Sequence, residues 1–153
     1  MTYKPEDLLP HRSPMVLVSR VVAFDADTHS LIAEVDISPE SLFYDSEIGG
    51  VPAYLSIEYM AQTIGCFAGY WDLSRTPPIP PRVGFVLGTR KFCTSCDVLE
   101  PGCYRITVKE QFFDNEIASF SAEVSDVDGN VVCSASLNAF RPANLDVFKQ
   151  KFL

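Results

Sequence analysis

An acid and an amide stand one helical turn apart in a run that otherwise looks built for burial. In VPAYLSIEYMAQTIGCFAGYW (residues 51–71) these two groups are Glu58 and Gln62. A buried carboxylate is costly unless it is paired, hydrogen-bonded or neutralised. Burial also raises a carboxyl pKa, which suits a general acid that protonates a leaving hydroxyl near neutral pH. The competing reading sets Glu58 at a solvated rim, or holds it with Gln62 and a backbone amide. Periodicity leaves both open.

The candidate bases are few. His11 and His29 are the only histidines, and a neutral imidazole suits proton abstraction near pH 7. His11 stands in LPHR, just before a strand-like run, where it is either a base or a structural cap. His29 lies in the hydrophilic turn DADTHS, where side chains are commonly solvated. Tyr44 and Asp45 are weaker candidates, because a tyrosine base needs a large pKa shift. The five cysteines, Cys66, Cys93, Cys96, Cys103 and Cys133, form no disulfide framework. Cys93 and Cys96 have C-x-x-C spacing, but a second ligand pair and a redox-type helix start are missing. They read as partly buried thiols, with no metal and no cofactor implied.

The elements that must position these groups follow from periodicity. Residues 15–24 (MVLVSRVVAF) and 31–37 (LIAEVDI) read as strands, and residues 38–50 as a loop. Residues 51–71 read as a helix with Pro52 in its first turn, ended by the prolines of SRTPPIPP. Its apolar stripe is Ile57, Met60, Ala61, Ile64, Phe67, Ala68 and Trp71. Beside the stripe runs a flank of Glu58, Ala61, Gln62, Gly65 and Gly69, small enough to admit another backbone or a thin acyl chain. Strands are then expected at 83–92, 104–113, 117–125 and 131–140, with a short helix in LDVFKQKF. This order gives one α+β domain over residues 1–153, with an antiparallel sheet around one long central helix.

A net charge of -8 argues against nucleic acid and against anionic membrane surfaces as general partners. The apolar helix is about the length of a bilayer span, but its central Glu and the surrounding β-structure argue against one. The N-terminal MTYKPEDLLPHR lacks an apolar signal core, so a cytoplasmic setting is expected.

LLPHRSPMVLVSRV (residues 8–21) resembles the opening of the 3-hydroxyacyl-acyl-carrier-protein dehydratases. IEYMAQTIG (residues 57–65) resembles their central helix, FVLGTRKF (85–92) a later strand, and NAFRP the region of Arg141. The nearest likeness is to the divergent dehydratase-like proteins of aryl polyene synthesis. The resemblance implies a hotdog fold, and a dimer that covers its exposed sheet edge, with itself or with another hotdog chain. It implies an acyl thioester on acyl carrier protein as substrate. Glu58 would act as acid, supported by Gln62, with backbone amides of Ala53 and Tyr54 polarising the thioester carbonyl. Gly65, Phe85 and Gly88 would contact substrate, with Phe92 and Gly69 beside them. Arg82, Arg90 and Lys91 would offer the acidic carrier a basic patch.

One family feature is missing. The typical loop histidine, fourteen residues before the acid, would fall at Tyr44, and no histidine occurs after His29. His11 is therefore the remaining base candidate. The expected activity is dehydration of 3-hydroxyacyl to trans-2-enoyl thioesters. The alternatives are a non-catalytic hotdog subunit paired with an active dehydratase, and an acyl thioesterase in which Glu58 activates water.

Overall fold

Why the long helix ends up wrapped follows from which residues alternate around it. A computed structural model describes residues 3–152. In chain order they form α1 (Pro5–Leu8), β1 (Arg20–Asp25), β2 (Ser30–Ile37), β3 (Val51–Pro52), a 3-10 turn (Ala53–Leu55) and α2 (Ser56–Leu73). There follow β4 (Phe85–Thr94), β5 (Val98–Leu99), β6 (Gly102–Asp114), β7 (Ile117–Ser125), β8 (Val131–Phe140) and α3 (Leu145–Phe152). Six strands make one antiparallel sheet in the order β1-β2-β6-β7-β8-β4, while β3 and β5 pair separately.

Every second residue of the central strands points inward. Leu31, Ala33 and Val35 of β2 are buried, as are Ile106 and Val108 of β6, Phe120 and Val124 of β7, and Leu137 of β8. Against them α2 sets Tyr59, Met60, Ile64 and Phe67. The sheet curls over this one helix, which is the expected hotdog arrangement. Its edge strand β4 behaves differently, leaving Phe85, Val86 and Leu87 exposed. Among the described residues no helix is long and apolar enough to cross a membrane.

Two boundaries differ by five residues from the sequence expectation, while those of β4, β6 and the end of α2 differ by one or two. The strand expected over 15–24 begins only at Arg20, because a side chain of α2 takes up the backbone groups of Met15 and Leu17. The helix expected from residue 51 begins at Ser56. Val51 and Pro52 are instead held in a ladder with Leu99 and Val98, so Pro52 precedes the helix rather than opening it. By contrast β7, β8 and α3 have the expected limits.

The small flank of α2 receives a backbone. A Cβ on Gly69 would collide with the carbonyl of Leu8, and one on Gly65 would lie 2.7 Å from Leu9 Cδ2. These glycines let α1 and the segment after it settle onto α2, with Leu8 and Leu9 fully buried. We expect Gly69→Ala to cost about 1–3 kcal/mol by urea denaturation, the usual penalty of overpacking. An unchanged midpoint would contradict this close approach.

The thiols are dispersed: Cys66 and Cys133 are buried, Cys93 exposed, and all five are free. Burial pushes the Cys66 thiol up to about 12. Thiol-modifying reagents at mildly alkaline pH should therefore label Cys93 in the native protein and spare Cys66. Equal labelling rates would contradict that burial.

Candidate active site

The polar groups of α2 define the site, because each must find a partner inside an apolar setting. Gln62 is 1 % exposed, and its carboxamide is used at both ends. Its Nε2–H donates to the Met15 carbonyl at 2.7 Å, and its Oε1 accepts the Leu17 N–H at 2.8 Å. The side chain thus replaces one rung of a β-ladder. Its expected service to Glu58 is not what these bonds provide, since they fasten the N-terminal segment to the helix.

That segment runs back along α2, with Leu8 against Gly69, Leu9 against Gly65 and Met15–Leu17 against Gln62. The progression brings His11 to the half of the helix that carries Glu58. Both side chains line one cavity of ≈ 470 Å³ beneath α2. The Nδ1 of His11 is buried without a hydrogen-bond partner among the described residues. Such an orphan costs about 1–3 kcal/mol. Glu58 is partly buried. No described side chain forms an ion pair with it, so its carboxylate is available to the cavity.

From Glu58 the cavity follows α2 past Ala61, Gly65 and Ala68, walled by Phe67 and Phe120, to Trp71. Thirteen residues of helix span about 20 Å. At the far end His29 stacks on Trp71 with ring centroids 5.3 Å apart, and its Nδ1 lies 3.2 Å from Glu110 Oε1. His29 lines the cavity, yet its side chain is also exposed as expected for its turn, and it stands at the opposite end from Glu58.

The same end holds a group that sequence reasoning missed. Asp72 is fully buried in the last turn of α2. Arg82 grips it with Nη2 and Nε at 2.9 and 3.2 Å, Arg141 with Nη1 at 2.8 Å, and Arg75 Nε lies at 3.6 Å. Burial lowers the Arg141 pKa, reinforced by repulsion from Arg82 and Arg75 and opposed by Asp72. A signal was present in the sequence: an acid at a helix C-terminus opposes the helix dipole, and so requires cations.

Of the expected substrate contacts, Gly65 and Phe85 line the cavity, whereas Ala53, Tyr54 and Gly88 do not. The Ala53 N–H is taken by the Asp97 carbonyl at 2.9 Å, because the chain before α2 is tied to β5, and Tyr54 is exposed. Gly88 lies on the edge strand, beside a separate shallow depression with Leu87, Arg90 and Phe112. The expected basic patch divides for the same reason: Arg82 turns to Asp72, while Arg90 belongs to the edge strand. Tyr44 and Asp45 do not line the cavity, and Asp45 organises its own loop through Glu47 and Gly50. Among the described residues no three His, Cys, Asp or Glu side chains group as metal ligands.

With this geometry in hand, the family model described as ApeP-like, ApeP dehydratase, matches residues 3–150. The chain belongs to that family. It is 31% identical over 140 residues to the 3-hydroxyacyl-acyl-carrier-protein dehydratase FabZ of Vibrio atlanticus, covering 89% of each chain. It is 31% identical over 67 residues to the FabZ of Chlamydia trachomatis, a match that spans 44% of that relative's length. Among solved structures it superposes on the dehydratase heterocomplex ApeI:P of Xenorhabdus doucetiae with TM-score 0.87, at 24% identity and full coverage of both chains. The thioesterase PA1618 of Pseudomonas aeruginosa matches at TM-score 0.58 and 18% identity, over 80% of this chain and 79% of that one. The solved structures bear on the fold, which is hotdog throughout. The family assignment is to dehydratases.

The Gln62 clamp has a direct consequence. Gln62→Met should leave a part-buried N–H and a part-buried carbonyl without their partner, at about 1–3 kcal/mol in all. Amide hydrogen exchange should then accelerate at Leu17 well before the protected amides of β7. Unchanged protection at Leu17 would show that the clamp does not hold the segment.

Proposed function

We propose that this chain catalyses dehydration of 3-hydroxyacyl thioesters on acyl carrier protein, giving trans-2-enoyl thioesters. In this reading His11 removes the α-proton and Glu58, protonated, hands its proton to the departing β-hydroxyl, which leaves as water. The electron pair of the α C–H bond becomes the new double bond, and proton transfer from His11 back to Glu58 resets the pair. The carrying observation is that Glu58 and His11 line one cavity, which continues as an apolar channel, and that the enclosed Nδ1 of His11 has no hydrogen-bond partner among the described residues. Gln62 acts as a positioning residue, through the Met15 and Leu17 backbone. Membership of a dehydratase family supports the reaction class.

A second hotdog chain belongs to this proposal. The edge strand β4 exposes Phe85, Val86 and Leu87, and the 41–50 loop exposes Leu42, Phe43 and Ile48. Phe43 is held there at φ 71, a conformation costly for a bulky side chain. Exposed apolar groups on an open sheet edge are what a dimer covers. The comparison structure is, by its own description, a heterocomplex. The alternative role, a subunit that lends its groove to an active partner, draws on the absent loop histidine. A thioesterase role draws only on fold likeness.

Mass spectrometry of 3-hydroxyacyl carrier protein, incubated with this chain alone and with a second hotdog chain, separates these roles. Loss of one water is expected, falling about 10²–10⁴-fold in Glu58→Gln and in His11→Ala. Release of free acid instead would mean thioesterase. Turnover that appears only with the partner and survives both substitutions would make this chain the non-catalytic subunit.

A further inference from the structure

The arginine-lined end of the cavity offers more guanidinium donors than the one buried carboxylate there requires. One carboxylate, Asp72, is met by three guanidinium groups. One bidentate arginine, here Arg82, suffices to neutralise and satisfy a buried aspartate. Arg141 and Arg75 are therefore in excess. Among the described residues neither has a second side-chain acceptor. Arg141 retains only 23% of its side-chain exposure, and burial together with the neighbouring cations lowers its pKa.

Two other carboxylates line this end, and both are engaged elsewhere. Glu116 accepts the Ala143 N–H, and Glu110 faces His29. Neither bonds an arginine. A partly desolvated guanidinium has five N–H donors, and those left open seek a planar, two-oxygen acceptor.

The distance from the chemistry is fixed by the helix. Glu58 and Asp72 are fourteen residues apart on α2, or about 21 Å. The stretch between them is apolar and aromatic, lined by Ala61, Phe67, Ala68 and Phe120. Such a wall suits a hydrocarbon chain and not the amide-rich arm of a carrier.

We propose that the Arg75–Arg82–Arg141 end of the cavity binds a carboxylate at the far end of the acyl chain, so that the site selects thioesters of dicarboxylic acids. This inference rests on the dehydratase reading for which end of the ligand lies at Glu58. The selectivity itself is measured without turnover.

The test is calorimetric titration of the whole chain with N-acetylcysteamine thioesters over a series of chain lengths. Each length is supplied ending in a methyl group or in a carboxylate, and neither form carries a phosphate. Expected is at least about tenfold tighter binding of the carboxylate form at the best length, as for a charge-assisted bidentate pair. That preference should shrink in Arg75→Gln, whose half-exposed side chain is not needed to satisfy Asp72. It should shrink in Arg141→Lys, which keeps the charge but loses the fork, and it should persist in Glu58→Gln. Equal affinities, no binding of either form, or tighter binding of a methyl-ended 4′-phosphopantetheine thioester than of the carboxylate form would overturn the proposal. The last outcome would assign the arginines to the carrier's phosphate. A carboxylate preference in a protein that releases no water removes the dehydratase reading alone, and water loss without a preference removes only this inference.

Discussion

Four polar side chains of α2, Ser56, Gln62, Thr63 and Asp72, are buried in a helix whose remaining surroundings are apolar. Leaving such groups unpaired costs more than most single contacts return, so they dictate what packs around the helix. Thr63 solves the problem locally, donating to the Tyr59 carbonyl at 2.7 Å. Gln62 and Asp72 cannot. Gln62 recruits the backbone of Met15 and Leu17, and Asp72 recruits arginines from the proline-rich loop and from the chain after β8. These two recruitments hold the N-terminal segment and the distal loops around the helix, and the cavity is the space between them. Ser56 Oγ remains unpaired, the exception in this set.

The cavity inherits its chemistry from the same pattern. Near Gln62 it offers a carboxyl and an imidazole; near Asp72 it offers guanidinium groups; between them it is hydrocarbon. The close approach of Leu8 and Leu9 to Gly69 and Gly65 closes one wall of the channel. Low polarity there favours an acyl chain and strengthens any electrostatic interaction made at either end. On the proposed reading such a site would select by length as well as by end group, because both ends are anchored to one helix.

Much of the fold was legible because the inward residues of the central strands alternate without interruption. Leu31, Ala33 and Val35 on β2, and Phe120, Ala122 and Val124 on β7, specify both element and face. The run at 15–17 misled for a physical reason: its apolar residues suit a strand, but the partner of its backbone is a glutamine side chain and not a strand. Glu58, Gln62 and His11 were singled out from residue type and from family motifs, and the structure sets all three along one cavity. The Asp72 cluster was not, since its cations arrive from residues 75, 82 and 141 and only folding brings them together. The Ala53 amide was assigned to substrate from the family resemblance and the helix dipole, and its tie to Asp97 lies outside what either reveals.

In the proposed reaction the base and the acid stand on different elements of one cavity, His11 on the N-terminal segment and Glu58 on α2. Deuterium incorporation at the α-carbon of a saturated acyl thioester isolates the base, since that ligand has no hydroxyl to lose. In D2O the protein should catalyse α-exchange, Glu58→Gln should retain most of it, and His11→Ala should abolish it. Exchange that survives His11→Ala would contradict the assignment of His11 and return the base to another residue or another chain.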